Sequence, residues 1–237
     1  MSDKAPLQKV VRTAFLENMK EVYTCVPGHI IAFNPETQRA QVQIGIIRVD
    51  INGSVFNPPP IVDVPVSFPG DDYVLEFQID PGCEGHIQFS QRCMDGWKQT
   101  GRIADNPVGR FHHKQDAIFI PGIRSLSNTI EAFANDGMRI RDKTGNRHVW
   151  IKNDGSMVLK NGQASTTLAS DNSVLITNGA GSITILANGN ININGVIFSP
   201  VGRVTAPAGG GFTGSNGIPY ETHRHNETGT TTGTPRV

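Results

Sequence analysis

The sequence predicts an all-β protein: a short amino-terminal helix, an OB-like barrel, then an intertwined trimeric β-helix running into a pointed carboxyl-terminal tip. Three observations carry this prediction. Between residues 28 and 123, short strand-like runs alternate with proline, glycine and asparagine turns. Beyond residue 136 the turns become glycine-centred and recur about every eight to ten residues. The final stretch is rich in Gly, Thr and Pro and has no sustained periodicity. The segments expected are therefore 1–27 (helical), 28–123 (barrel), 124–136 (linker), 137–198 (β-helix shaft) and 199–237 (tip).

From Ala5 to Tyr23, Leu7, Val10, Val11, Ala14, Phe15, Met19 and Val22 recur at spacings of three and four, which makes one face of a helix apolar. That stripe needs a partner, either the following domain or another subunit. The barrel strands are expected at His29–Phe33, Ala40–Ile47, Val62–Val66, Tyr73–Phe77, Glu84–Phe89 and Ala117–Ile120. Turns at Asn34-Pro35, Asn57 to Pro60, Pro69-Gly70 and Asp80-Pro81-Gly82 separate them, because proline presets φ and glycine permits positive φ. Strand number fits an OB-like barrel, and by itself also an SH3-like barrel or a sandwich.

In the shaft, turns at Thr144-Gly145, Asp154-Gly155, Asn161-Gly162, Asn178-Gly179, Asn188-Gly189 and Asn194-Gly195 bound runs such as Val149–Ile151, Met157–Leu159, Val174–Ile176, Ile183–Ile185 and Ile191–Ile193. Such narrow strands have too little apolar face for an independent core and leave open edges. Three intertwined copies solve both problems, with Val174, Ile176, Ile183, Ile185, Ile191 and Ile193 around a threefold axis. A single-chain solenoid is the competing architecture, and it calls for more rungs and a wider core.

Composition alone reads 199–237 as disordered, yet His223-Arg224-His225 interrupts it. Residues i and i+2 of an extended chain point to one side, roughly 6.5 to 7 Å apart. A threefold axis turns His223 and His225 into six imidazoles, an all-nitrogen octahedral shell for a first-row metal. Zinc prefers four ligands, which leaves Fe(II), Ni(II) or Co(II), with availability favouring iron.

Other functions find less support. The chain has 21 Lys plus Arg against 21 Asp plus Glu, so no net field draws nucleic acid or an anionic membrane, and no nucleic-acid partner is expected. Trp97 and Trp150 would otherwise suggest a base-stacking surface. Cys83, His86, Cys93, His112 and His113 lack the close Cys-X-X-Cys spacing of a zinc site. Asp63, Asp71, Asp72, Glu76 and Asp80 fall at turns and strand starts without evident pairing, so no catalysis is expected. The three cysteines, Cys25, Cys83 and Cys93, are expected to be free thiols. Charges interrupt the first thirty residues and no run suits a membrane span, so synthesis and folding in a host cytosol are expected.

The order helix, barrel, glycine-punctuated β-helix and His-X-His tip resembles the central spike proteins of contractile-tailed bacteriophages. In the barrel the similarity rests on Pro58-Pro59-Pro60-Ile61-Val62-Asp63-Val64-Pro65-Val66, Pro81-Gly82-Cys83-Glu84-Gly85, Asp95-Gly96-Trp97, Arg110-Phe111-His112-His113 and Phe119-Ile120-Pro121-Gly122. At the carboxyl end it rests on Thr222-His223-Arg224-His225 and the run Gly229 to Pro235. The resemblance implies a non-enzymatic homotrimer in the virion, at the tip of the tail baseplate. Its barrel end would attach to the tail hub, and sheath contraction would drive it through the bacterial outer membrane. It also implies one iron ion per trimer on six histidines, at His223 and His225 here. A receptor-binding fibre or adhesin, and the spike of a bacterial contractile secretion system, are the alternatives.

Overall fold

The computed structural model describes residues 6–49, 53–105, 108–208, 210–211, 226–227 and 230–231. The chain is mostly β and divides into two compact units, Met1–Thr129 and Ile130–Val237.

The first unit opens with helix α1 (Leu7–Met19), which buries none of its residues, so the apolar stripe from Leu7 to Met19 lies open in the single chain. Strands β1 (Cys25–Asn34) and β2 (Arg39–Ile44) follow, then a small hairpin of β3 (Arg48–Val49) and β4 (Val55–Phe56). Next come β5 (Ile61–Pro65), β6 (Glu84–Phe89), helix α2 (Asp95–Thr100) and β7 (Ala117–Pro121). The five long strands form one antiparallel sheet in the order β5-β2-β1-β6-β7. Register shifts at Ile30/Ala32 and Ala40/Val42 add twist, as bulges do, and the sheet curls into a half-barrel. Its two edges meet at a bridge between Val66 and Phe119, where the Ser67 N–H donates to the Phe119 carbonyl over 2.9 Å.

Alternation explains the core. Ala40, Val42 and Ile44 on β2 point inward with Ile30, Ile61, Val64, Ile87, Phe89 and Phe119, and Tyr23 packs its ring 5.1 Å from that of Phe89. Gly28 and Gly85 lie opposite each other on β1 and β6, and a Cβ on Gly85 would strike the Phe119 ring and the Ile120 carbonyl. Only glycine lets three backbones approach there.

One expectation needs correction. Tyr73–Phe77 is not a strand: it forms only an isolated bridge, Gly70 to Val74, and Tyr73, Val74, Leu75 and Phe77 are exposed. Pro69, Gly70 and two aspartates turn the chain so tightly that no ladder starts. The stretch Cys93 to Gly101, which the sequence left unassigned, contains α2, closed by Gly101 in the left-handed region at φ 64°.

After a 3-10 turn at Leu126–Asn128, the second unit runs through β8 (Gly137–Arg141), β9 (Arg147–Lys152), β10 (Met157–Asn161), β11 (Ala164–Leu168), β12 (Val174–Thr177), β13 (Ser182–Ile185), β14 (Ile191–Ile193), β15 (Val196–Phe198) and β16 (Val204–Thr205). Each pairs antiparallel with the next, giving a nine-stranded meander whose last strand lies beyond the expected shaft boundary at 198. Asn194 and Gly195 both have positive φ, 48° and 96°, which suits the two-residue turn joining β14 to β15. Along the turns, Asp154 accepts from the Ser156 hydroxyl and N–H, and Asp171 does the same for Ser173. Those hydrogen bonds hold both carboxyls below the usual aspartate range, the hydroxyl bond being the larger cause. Farther on, β17 (Asn226–Glu227) pairs with β18 (Thr230–Thr231) as a short hairpin. Among the described residues, no helix is long and apolar enough to cross a membrane.

Candidate functional site

The second unit's outstanding feature is one face of its sheet. Residues directly opposite on neighbouring strands share a face, and so do residues i and i+2. Register therefore builds two rows across the meander. One runs Met138, Ile151, Met157, Leu168, Val174, Ile185, Ile191, Phe198 and Val204. The other runs Ile140, Val149, Leu159, Thr166, Ile176, Ile183, Ile193 and Val196. All six residues expected to point inward, Val174, Ile176, Ile183, Ile185, Ile191 and Ile193, fall in these rows. Thr166 is the single polar member.

This face is uncovered in the single chain. Ile140 is 65% exposed, Leu159 57%, Ile176 46% and Ile193 39%. Exposed apolar area of this continuity marks a surface built to be covered. The opposite face carries Arg139, Trp150, Val158, Thr167, Leu175, Thr184, Asn192, Ile197 and Thr205, a mixed and more polar set that is mostly half-buried in the single chain.

His223 and His225, the expected metal ligands, lie outside the described residues. The five residues weighed for zinc are not brought together. His112 Nδ1 lies 3.1 Å from the Tyr23 carbonyl, and His113 Nδ1 accepts from the Gln115 N–H. Among the described residues, one trio does converge: Cys93, Asp95 and Asp116. A cation of the chain's own already fills it. Arg110 donates to Asp116 over 2.9 and 3.0 Å, to Asp95 over 2.7 Å and to Cys93 Sγ over 3.0 Å. Asp116 is fully buried and also accepts from the Met94 N–H, which ties α2 to β7. Arg110 lowers the pKa of Asp95 and its own is raised in turn by the two carboxylates, first by Asp116. Nothing in the sequence linked Arg110 to Asp116, since neither residue's burial is written in its neighbours.

The turn acids do not assemble either. Asp63 sits at φ 56° beside an open cavity of about 550 Å³, where Lys98 approaches its carboxylate to 3.5 Å and Arg39 to 3.8 Å. Asp80 accepts from Gln78. Cys25, Cys83 and Cys93 are free, and burial pushes the Cys83 thiol up.

Residues 26–122 match the family described as Phage protein Gp138 N-terminal domain. That span covers the half-barrel from β1 to β7, and the match supports a phage structural protein of the tail or baseplate type. No curated protein matches the chain.

Proposed function

We infer that this chain is the central spike of a contractile phage tail, a homotrimer that pierces the host outer membrane when the sheath contracts. The observation that carries the reading is the uncovered two-row apolar face of the nine-stranded sheet, joined in one chain to a domain of a phage-protein family. Three such sheets facing one axis would bury all the rows together, form a dry interior and leave the polar faces outside. The amino-terminal half-barrel would seat the spike on the tail hub, in the virion. A rigid point needs no turnover, so the protein acts mechanically rather than as an enzyme, and it needs no nucleic acid.

At the tip, His223 and His225 from three chains would hold one iron ion. Neutral imidazole nitrogens in this number suit an octahedral first-row metal, and ligation adds folding free energy where the sequence offers no apolar core. Native mass spectrometry is expected to find three chains and one metal per particle, with the metal lost in His223→Ala/His225→Ala. A monomer would overturn the spike; metal retained in the double variant would overturn the clamp.

A further inference from the structure

The polar face of the second unit is not uniform. At β8, β9 and β10 its positions form a small grid: Lys152 beside Gly137, then Arg139, Trp150 and Val158, then Arg141, His148 and Lys160. With strands about 4.8 Å apart and side chains about 7 Å apart along them, the grid covers roughly 10 by 14 Å. No acidic residue occupies it. Farther along the same face, from β11 to β16, the positions hold Thr, Ser, Asn, Leu and Ile and no cation.

Trp150 organises the cations. The Arg139 guanidinium carbon lies 4.7 Å from the ring centre, Lys152 Nζ 4.6 Å from it, and His148 meets the indole edge-on. Arg141 is held by the Glu131 carbonyl at 3.0 Å and the Lys143 carbonyl at 2.9 Å, and Arg139 by the Ala132 carbonyl at 3.0 Å. Carbonyls orient these guanidinium groups without neutralising them. None of Arg139, Arg141, Lys152 and Lys160 is in an ion pair among the described residues. Of the nearby turn acids, Asp142 is paired with Arg147 and Thr144, and Asp154 accepts from Ser156 while also feeling the charge of Lys152 without a direct ion pair.

We propose that this basic grid around Trp150 is a docking surface for a phosphate-bearing membrane surface, of the kind phosphorylated glycolipids present. Cations without direct ion pairs, concentrated at one end of an otherwise uncharged face, suit an array of anionic headgroups, each near-surface cation strengthening attraction about fivefold. The covered indole disfavours nucleic acid. Its Nε1 is buried without a partner among the described residues and cations occupy its ring, so no base can stack there. The choice of a membrane rests on the spike reading, in which three copies would place three grids around one shaft and multiply weak contacts.

Flotation of the full-length protein with vesicles tests the surface. Vesicles of phosphatidylcholine containing lipid A are expected to carry the wild type, phosphatidylcholine alone is not, and added salt is expected to release it. Lys152→Gln/Lys160→Gln is expected to weaken binding about 25-fold, whereas Lys143→Gln, which removes a turn charge outside the grid, leaves it near wild type. Equal loss in both variants, no loss in either, or tighter binding to a single-stranded oligonucleotide than to lipid A vesicles would overturn the proposal. Native mass spectra of the same samples separate the two readings: a monomer that still shows grid-dependent flotation refutes the spike alone, and a trimer indifferent to the double variant refutes the grid alone.

Discussion

At the scale of the residue, the decisive contact in the first unit is Arg110 with Asp116. A fully buried carboxylate is tolerable only when paired and hydrogen-bonded, and Asp116 has both, with two bonds from Arg110 and one from Met94. The pair joins α2, the loop before β7 and β7 itself. Asp116→Ala is expected to cost about 3 kcal/mol, the lower part of the range for breaking a buried ion pair, because Asp95 still partners the orphaned Arg110. Urea denaturation in a Trp150→Phe background, followed by the fluorescence of Trp97 on α2, reads that loss. The contact was invisible in the sequence because Arg110 and Asp116 are polar residues in a loop, and only the placement of α2 shuts water away from them.

At the scale of the element, strands with clean alternation were legible: β2, with Ala40, Val42 and Ile44 inward, and β13 and β14, with isoleucines two apart. β11 was not, since Ala-Ser-Thr-Thr-Leu has no apolar alternation and is held by pairing with β10 and β12 on either side. Tyr73–Phe77 failed in the other direction: its composition is strand-like, but the tight turn before it leaves no neighbour to pair with. Sheet structure depends on a partner as much as on the segment. Ile183 sits mid-sheet, opposite Ile176 and Ile193 in the apolar row. In the proposed trimer, Ile183→Asp would put three charges into one dry layer, so it is expected to prevent three chains from assembling while the half-barrel stays folded. Light scattering after size exclusion, alongside a barrel-specific thermal melt, checks both halves of that outcome.

At the scale of the whole molecule, the chain has one conventional core and one sheet without any. The half-barrel closes on itself through Val66 and Phe119, whereas the nine-stranded meander presents its apolar rows outward. Stability along such a shaft would come from neighbouring rungs and from the other copies, and at the tip from the metal. Chelation is therefore expected to make the chain beyond Ser199 sensitive to protease while the barrel fragment persists. Intact resistance beyond Ser199 after complete metal removal, followed by mass spectrometry of the digest, would count against iron as the tip's support.

By itself the sequence determined that the protein is β, where the turns fall and which isoleucines share a face, because a two-residue period and Asn-Gly chemistry are local properties of the chain. The tertiary structure alone decided the strand order β5-β2-β1-β6-β7, the burial of Asp116 under Arg110, and the placing of Arg139 and Lys152 over Trp150 on the face they share with Arg141 and Lys160. Each of these depends on how separate segments pack or pair, since periodicity within a segment carries no information about its partner across the sheet.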